Sequence, residues 1–125
     1  MITKVLLHDL VMPDNCNYYG NAFGGWIMAR IDIAASILAK KVAKGLVVTK
    51  RVSEIDFESP IPSGATMETE ASLDWTKYTS MGITVTVSEE GKECTKAKVV
   101  MVAINEDGTP KPLAEDKRDF VVGEE

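Results

Sequence analysis

The stretch that decides the fold reads MPDNCNYYGNAFGGWIMARID and spans Met12–Asp32. It starts as a polar loop, because proline, asparagine, aspartate and glycine crowd Pro13–Asn21 and favour turns. After the glycine pair Gly24-Gly25 it becomes apolar, and the apolar residues recur at helical spacing. This pattern predicts one long helix that begins near residues 21–24 and ends near Gly45, where glycine suits a left-handed residue after a helix. The predicted buried stripe is Ile27, Ile31, Ala34, Ala35, Leu38 and Val42.

The chain on either side of this helix is typical of β-strands. Alternating or β-branched runs predict a first strand or arm over Lys4–Val11 and later strands over Leu46–Phe57, Thr66–Trp75, Thr79–Ser88 and Thr95–Asn105. One helix cannot cover both faces of such an antiparallel sheet, so we expect an α+β fold in which the sheet curls around the helix. Its spare surface or edge should then meet another subunit.

Length and composition narrow the class of protein. The 125 residues allow one domain, with a charged tail over residues 114–125 that we expect to fray. A net charge of −5 without a basic stripe argues against nucleic-acid binding. No segment predicts a membrane span or a secretory signal, so we expect a cytoplasmic protein that does not bind membranes.

Cysteine and histidine are scarce in this chain. Cys16 and Cys94 lie far apart, which favours two reduced thiols over a disulfide framework. His8 is the single histidine, and no ligand spacing typical of zinc is present. We therefore expect no metal site.

Asp32 is the acid within the apolar helix. It could be a solvent-facing carboxylate, or it could pair with Arg30 or Lys40. An ionised, partly desolvated aspartate can instead take a proton from water or attack a carbonyl carbon directly. The helix positions around Asp32 are mostly apolar or small, namely Met28, Ala35, Ser36 and Ala39.

Gly24 and Gly25 stand where the loop becomes the helix. Glycine gives backbone freedom at such a corner. It also lets a ligand approach the free amides of the first helical turn, where the helix dipole stabilises a developing oxyanion. The two roles are compatible, and together with Asp32 they supply the groups needed to polarise a carbonyl and direct water at it.

The motif resembles the hotdog-fold acyl-CoA thioesterases of the YciA-like and brain acyl-CoA hydrolase type. The resemblance rests first on Pro13, Asn17, Gly20, Phe23-Gly24-Gly25-Trp26-Ile27-Met28 and Asp32. Later blocks follow in the family's order: Val47-Val48-Thr49, Asp56-Phe57, Pro60, Gly64, Thr79-Ser80-Met81 and Val102-Ala103-Ile104. The likeness runs from about Lys4 to Pro112.

This resemblance implies a hotdog fold, paired into a homodimer with two sites at the interface. It implies hydrolysis of acyl-CoA thioesters to free acid and CoA without a metal or other cofactor. Asp32 matches the general base or nucleophile, and Asn17 matches a second functional residue contributed by the other subunit, so a lone monomer should be inactive. The resemblance leaves open whether the dimers assemble further into a tetramer or a hexamer. The matching oxyanion and substrate-binding positions are Gly24, Gly25, Phe23, Thr79 and Ser80.

Some positions depart from the family pattern or have a plainer interpretation. The family often has Asp-Thr-Asn where this chain has Asn15-Cys16-Asn17, and Tyr18-Tyr19 is bulkier than usual. Asn17 by itself would be an Asx-turn former, and the plainer interpretation of Phe23 is packing in a core or interface rather than an acyl contact. The phosphates of CoA need cations, for which the candidates are Lys50, Arg51, Lys77, Lys96 and Lys98.

Two alternatives belong to other functional classes. A non-catalytic hotdog module that binds acyl-CoA would keep its ligand affinity after Asp32 is replaced. A hotdog dehydratase or hydratase typically needs a histidine near the helix or its preceding loop, whereas His8 lies in the first arm.

Overall fold

The computed structural model describes residues 1–123, which form one long helix and a single antiparallel sheet. In chain order the elements are β1 (Lys4–Leu10), α1 (Gly24–Ala43), β2 (Val47–Phe57), β3 (Thr66–Thr76), β4 (Ser80–Glu89) and β5 (Lys92–Ala103). Short 3-10 turns occupy Pro13–Asn15 and Glu115–Lys117. The strand order is β1-β3-β4-β5-β2, so β1 and β2 are the edges. The predicted α+β architecture, a helix wrapped by a curved sheet, is confirmed.

The core lies between α1 and the inner face of the sheet. The predicted helical stripe is buried, and every strand contacts α1. Alternate residues on the three central strands meet it, as the two-residue period of a strand requires. The largest of these buried strand residues are Met67, Leu73, Met81, Ile83, Val85 and Met101.

Helix α1 ends one residue earlier than predicted. Lys44, not Gly45, adopts the left-handed conformation, with φ of 53°. Its amide donates to the carbonyl of Lys40 at 2.8 Å and closes the last turn. The Nζ of Lys117 donates to the Val42 carbonyl at 2.8 Å and so satisfies one of the free acceptors at the helix end.

Residues 114–123 differ from the frayed tail that their charge predicts. The backbone amide of Thr76 donates to Phe120 O at 2.9 Å, and that of Val122 donates to Asp74 O at 2.9 Å. The segment is held because the end of β3 offers it backbone partners, which composition does not reveal. The rest of the predicted tail, residues 124–125, lies outside the described residues.

One flank of the molecule, formed by α1 and the edge strand β2, exposes large apolar side chains. Phe23, Met28 and Ile33 on the helix side and Val52 and Phe57 on β2 are between 38% and 49% exposed. We call these five residues the flank surface. Its apolar character and its place beside an open sheet edge favour contact with another protein surface. No helix within residues 1–123 combines the length and apolar character that a membrane span requires.

Candidate active site

Asp32 lies in the third turn of α1, half-buried beside the edge strand. Its Oδ1 accepts a hydrogen bond of 2.5 Å from the Thr49 hydroxyl of β2. Arg30 pairs instead with Asp9, at 3.0 Å. Among residues 1–123 no lysine or arginine forms a salt bridge with Asp32. The carboxylate is therefore neither a free surface group nor half of an ion pair.

Thr49, the hydrogen-bond partner of Asp32, is a candidate site residue that the sequence interpretation missed. It sits opposite the buried Met101 in the β2–β5 register, so its side chain faces the helix. The signal available in the sequence was a hydroxyl at an inward position of the strand that follows the helix of Asp32. The sequence interpretation named Thr49 only as part of the Val47-Val48-Thr49 block, because a single sequence does not show that β2 packs beside α1.

The first turn of α1 carries two amides without a protein acceptor. Within residues 1–123 the N–H groups of Gly24 and Gly25 have no hydrogen-bond partner, and Phe23 caps the helix without a side-chain hydrogen bond. These are the free donors expected at a helix N-terminus. A Cβ on Gly25 would lie 3.2 Å from the Phe23 ring, and a Cβ on Gly24 would lie 3.4 Å from the Phe57 ring. Phe23 thus flanks the amides directly.

Asn17 forms the Asx turn that its residue type predicts. Its Oδ1 accepts hydrogen bonds from the backbone amides of Tyr19, at 3.0 Å, and Asn21, at 3.2 Å. This assignment leaves the Nδ2 group without a partner in the described part of the chain. Asn17 and Gly24 line the same cleft, of about 260 Å³, together with Phe57 and the segment Glu58–Ile61.

Asp32 is not part of that cleft. Asp32 lies seven positions after Gly25, which puts the two residues on one face of the helix but about 10 Å apart along its axis. A single chain therefore brings together Asn17 and the glycine amides, and holds Asp32 about two turns away.

An apolar cleft follows Asp32 along the same flank. It has a volume of about 300 Å³ and lies between the second half of α1 and the start of β2. Its lining is Ile33, Ser36, Ile37, Lys40, Gly45, Leu46 and Val47.

The remaining predicted residues lie on the other side of the sheet or at its end. Ser80 begins β4 and lines a cleft of about 290 Å³ on the outer face, which is also lined by Lys50, Arg51 and Lys77. The predicted cations Lys96 and Lys98 lie outside it. Thr79 lies in the β3–β4 turn, where its carbonyl accepts from the Ala103 amide at 3.0 Å.

Neither thiols nor metal ligands are grouped at the flank. Burial raises the pKa of the Cys94 thiol, which opposes a role as nucleophile. His8 lies on the outer side of β1, 3.8 Å from Glu68. In the chain up to residue 123, no three His, Cys, Asp or Glu side chains are placed to hold a metal ion together.

The chain is similar to known thioesterases in sequence and in structure. A family model described as the Thioesterase superfamily matches residues 19–96. The acyl-CoA thioester hydrolase YciA of Salmonella typhimurium is 36% identical over 119 residues, which cover 88% of this chain and 90% of that protein. The hexameric thioesterase y2039 of Yersinia pestis superposes with a TM-score of 0.84 at 34% identity, covering 87% of this chain and 93% of that one.

An acyl-CoA hydrolase from Staphylococcus aureus has a similar structure, solved with butyryl-CoA, CoA and CoA disulfide. The match has a TM-score of 0.81 and 29% identity, and covers 88% of this chain and 68% of that one. Solved variants of that enzyme replace an asparagine, an aspartate and a threonine by alanine. The aspartate follows the asparagine by fifteen residues and the threonine follows the aspartate by seventeen. Asn17, Asp32 and Thr49 have the same two spacings.

Proposed function

This chain belongs to the Thioesterase superfamily and is an acyl-CoA thioester hydrolase of the hotdog fold, and on that premise we propose that Asp32 drives the reaction. The observation that carries the proposal is the Thr49–Asp32 hydrogen bond of 2.5 Å on the exposed flank. The shared spacing with the residues replaced in the Staphylococcus aureus enzyme supports the same three side chains.

In the proposed reaction one carboxylate oxygen of Asp32 is fixed by a hydrogen bond and the other is available to react. Thr49 donates to Oδ1, which leaves Oδ2 to accept a proton from water as a general base or to attack the thioester carbon as a nucleophile. Either route adds one water across the C–S bond. The carbon–sulfur bond breaks, the CoA sulfur leaves with the electron pair and takes a proton, and the acyl group leaves as the acid. No metal or cofactor takes part in this proposal.

The amides of Gly24 and Gly25 are the proposed oxyanion donors. They point their N–H groups out of the positive end of α1 and have no protein acceptor within residues 1–123. A developing negative charge on the carbonyl oxygen is stabilised there by both the hydrogen bonds and the helix dipole. Losing one such donor typically costs about 3 kcal/mol of barrier.

Asn17 is proposed to orient the carbonyl or the water by donating a hydrogen bond. Its Oδ1 is already used by the amides of Tyr19 and Asn21, so Nδ2 is the free group. An amide NH₂ can donate to a carbonyl oxygen or to the oxygen of water, but it cannot act as a base. The Asx turn and the catalytic role are therefore compatible.

A complete site requires two chains. The reacting carbon must lie about 3 Å from its nucleophile, and its oxygen must lie at a similar distance from the oxyanion donors. Gly25 and Asp32 of one chain are about 10 Å apart along the helix axis, which is too far for one thioester. We therefore propose a homodimer, joined over the flank surface, in which Asp32 of one subunit faces Asn17 and the glycine amides of the other.

The dimer is the minimal unit of this proposal, and a hexamer of three dimers is the assembly that best fits the known neighbours. The similar Yersinia pestis thioesterase is hexameric. The apolar cleft after Asp32 offers space for the acyl chain on the same flank. The cytoplasmic location stays a prediction.

The deciding experiment replaces Asp32 by asparagine, which keeps the shape and removes the base. We expect hydrolysis of an acyl-CoA, followed as free thiol release, to fall by about 10³-fold or more, in the range typical of a lost catalytic group. Asp56→Asn, which changes an exposed carboxylate on β2, is the matched control. A folded Asp32→Asn variant with nearly full activity would overturn the assignment of Asp32. A wild-type protein that binds acyl-CoA but does not hydrolyse it would favour the non-catalytic binding module.

A further inference from the structure

The loop that carries Asn17 also carries two tyrosines that stand clear of the protein surface. Tyr18 is 91% exposed and Tyr19 is 75% exposed, the two largest values among the exposed large hydrophobic side chains of residues 1–123. Their rings lie side by side, with centroids 4.4 Å apart and planes inclined by 32°. An exposed pair of large aromatic side chains is typical of a surface that contacts a ligand or another protein rather than water.

The tyrosine pair stands on a hydrogen-bonded turn, so its exposure does not come from a loose loop. The amide of Tyr19 donates to Asn17 Oδ1 at 3.0 Å, and the amide of Gly20 donates to the Asn17 carbonyl at 3.0 Å. Gly20 has a φ of 84°, which lets the chain reverse tightly. Its carbonyl accepts from the Ser63 amide at 2.9 Å and ties the turn to the segment before β3.

The tyrosine pair does not belong to the cleft that its own chain forms around Asn17. Asn17 and Asn21 line that cleft, whereas Tyr18 and Tyr19 lie outside it. Consecutive Cα atoms are about 3.8 Å apart, so both tyrosines still begin within about 8 Å of the Asn17 Cα. The two rings are therefore close to a candidate catalytic group and available to a second chain.

The apolar cleft after Asp32, which the proposed function gives to the acyl chain, has an open side. Its seven lining residues come from α1 and from Gly45–Val47, and most of them are apolar. The Ser36 hydroxyl is already used, since it donates to the Asp32 carbonyl at 2.7 Å. Two apolar lining residues, Ile33 and Leu46, are 41% and 52% exposed. A further wall of this cleft must therefore come from outside these two pieces of chain.

The proposed dimer brings the tyrosine pair and the apolar cleft together. In that dimer Asp32 of one subunit faces Asn17 of the other. The cleft begins at Ile33, the residue after Asp32, and the pair begins at Tyr18, the residue after Asn17. Ile33 also belongs to the flank surface, so the contact that joins the subunits extends over the mouth of the cleft.

We propose that Tyr18 and Tyr19 of one subunit close the far end of the apolar cleft of the other and so limit the length of the acyl chain. The proposal rests on the proposed function, because it needs the site shared between two chains. From Ile33 to Lys40 the cleft runs for about 10 Å along α1. An extended chain advances about 1.3 Å per carbon, given a C–C bond of about 1.5 Å, so about eight carbons fill the cleft and longer chains meet the rings.

The test measures kcat/KM of the full-length protein for butyryl-, hexanoyl-, octanoyl-, decanoyl- and dodecanoyl-CoA. Thiol release is followed below the concentrations at which these substrates form micelles. For the wild type we expect kcat/KM to rise about fourfold for each methylene that the cleft buries and to fall for chains longer than about eight carbons.

Three variants of the tyrosine pair separate the rings from their hydroxyls. Tyr18→Ala/Tyr19→Ala opens the cleft and should raise the ratio of kcat/KM for dodecanoyl-CoA to that for octanoyl-CoA by about tenfold or more. Tyr18→Phe/Tyr19→Phe keeps both rings and should keep the wild-type optimum. Tyr18→Trp enlarges the closure and should move the optimum to a shorter chain. Tyr78→Ala, which removes an exposed tyrosine outside both clefts, is the matched control.

An optimum that stays in place in the alanine variant would overturn the proposal. An equal loss for every chain length would do the same, because the tyrosines would then only hold the dimer together. Light scattering checks that each variant keeps the assembly of the wild type. If the alanine variant dissociates, the tryptophan variant decides, and an unmoved optimum there counts against the closure.

Mixed dimers test whether the rings act across the interface. In a dimer of Asp32→Asn and Asn17→Ala chains, the one intact site takes Asn17 from the first chain and Asp32 from the second. Adding Tyr18→Ala/Tyr19→Ala to the Asp32→Asn chain should remove the length limit, whereas adding it to the Asn17→Ala chain should not. The reverse pattern would show that the rings close the cleft of their own chain, which contradicts the proposal.

Failure of the closure and failure of the proposed function give different results. If Asp32→Asn is inactive but no tyrosine variant moves the optimum, the closure alone is wrong. If Asp32→Asn keeps nearly full activity, the proposed function is wrong, and the assignment of the acyl chain to the cleft beside Asp32 fails with it.

Discussion

At the scale of the residue, the Thr49 hydroxyl decides which way the Asp32 carboxylate points. A hydroxyl has one proton to donate, and here it goes to Oδ1 at 2.5 Å. We predict that Thr49→Val lowers kcat by about 10²-fold, the typical cost of a slightly misplaced catalytic group, with a smaller effect on KM. Steady-state hydrolysis of one acyl-CoA measures both constants.

Thr49→Ser keeps the hydroxyl and should recover most of the lost kcat. Thr66→Val, at the exposed start of β3, controls for removing a threonine hydroxyl elsewhere. If Thr49→Val turns over substrate at the wild-type kcat, Thr49 does not position Asp32.

Single residues were predictable where the chemistry is local in the chain. Gly24, Gly25 and Asp32 lie on one helix, and the helical period alone places Asp32 two turns beyond the glycines. Thr49 was not predictable as a partner of Asp32, because its position depends on strand pairing. Lys50 and Arg51 were named as candidate cations, but the β-bulge at Lys50 that turns both of them to the outer face is not visible in the sequence. Simple alternation would have sent Lys50 and Arg51 to opposite faces.

At the scale of the element, the end of α1 contains a local conflict between sequence and backbone. Lys44 has a φ of 53°, a conformation that glycine adopts without steric cost. We predict that Lys44→Gly stabilises the protein by about 0.5–1 kcal/mol. Thermal unfolding at one fixed protein concentration measures the change, because the midpoint of an oligomer depends on concentration.

The matched control is Lys41→Gly, three residues earlier and inside the helix. There glycine should destabilise the protein by about 1 kcal/mol, since it adds backbone freedom to the unfolded chain. Opposite signs at two neighbouring lysines would show that the left-handed backbone, not the loss of a charge, is responsible. Equal signs would contradict this account.

Elements with a strong period were predicted within a few residues, whereas the C-terminal segment was not. The apolar stripe of α1 and the alternation of apolar and polar residues in β3 and β4 indicate directly which side chains are buried. Residues 114–123 carry charges and no such period, and they are held by backbone partners at the end of β3. Those partners are more than forty residues earlier in the chain, as in the bond from Thr76 to Phe120, so composition could not reveal them.

At the scale of the whole molecule, the proposed division of the site between two chains makes a quantitative prediction. Asn17→Ala keeps Asp32, and Asp32→Asn keeps Asn17, so each variant alone forms dimers with no intact site. In a mixed dimer one of the two sites receives an intact Asp32 from one subunit and an intact Asn17 from the other. Random pairing of equal amounts should restore about a quarter of the wild-type site number, since half of the dimers are mixed and each has one intact site.

The measurement is thiol release after the two variants are unfolded together, refolded and checked for subunit exchange with differently tagged chains. The control mixes Asp32→Asn with the double variant Asn17→Ala/Asp32→Asn, in which no arrangement can rebuild a site. Recovery in the first mixture and none in the control is what a site shared between subunits requires, because in the proposed dimer the amides of Gly24 and Gly25 face the carboxylate of the partner. If verified mixed dimers stay inactive, both groups act within one chain, and the 10 Å separation along α1 must be bridged in another way.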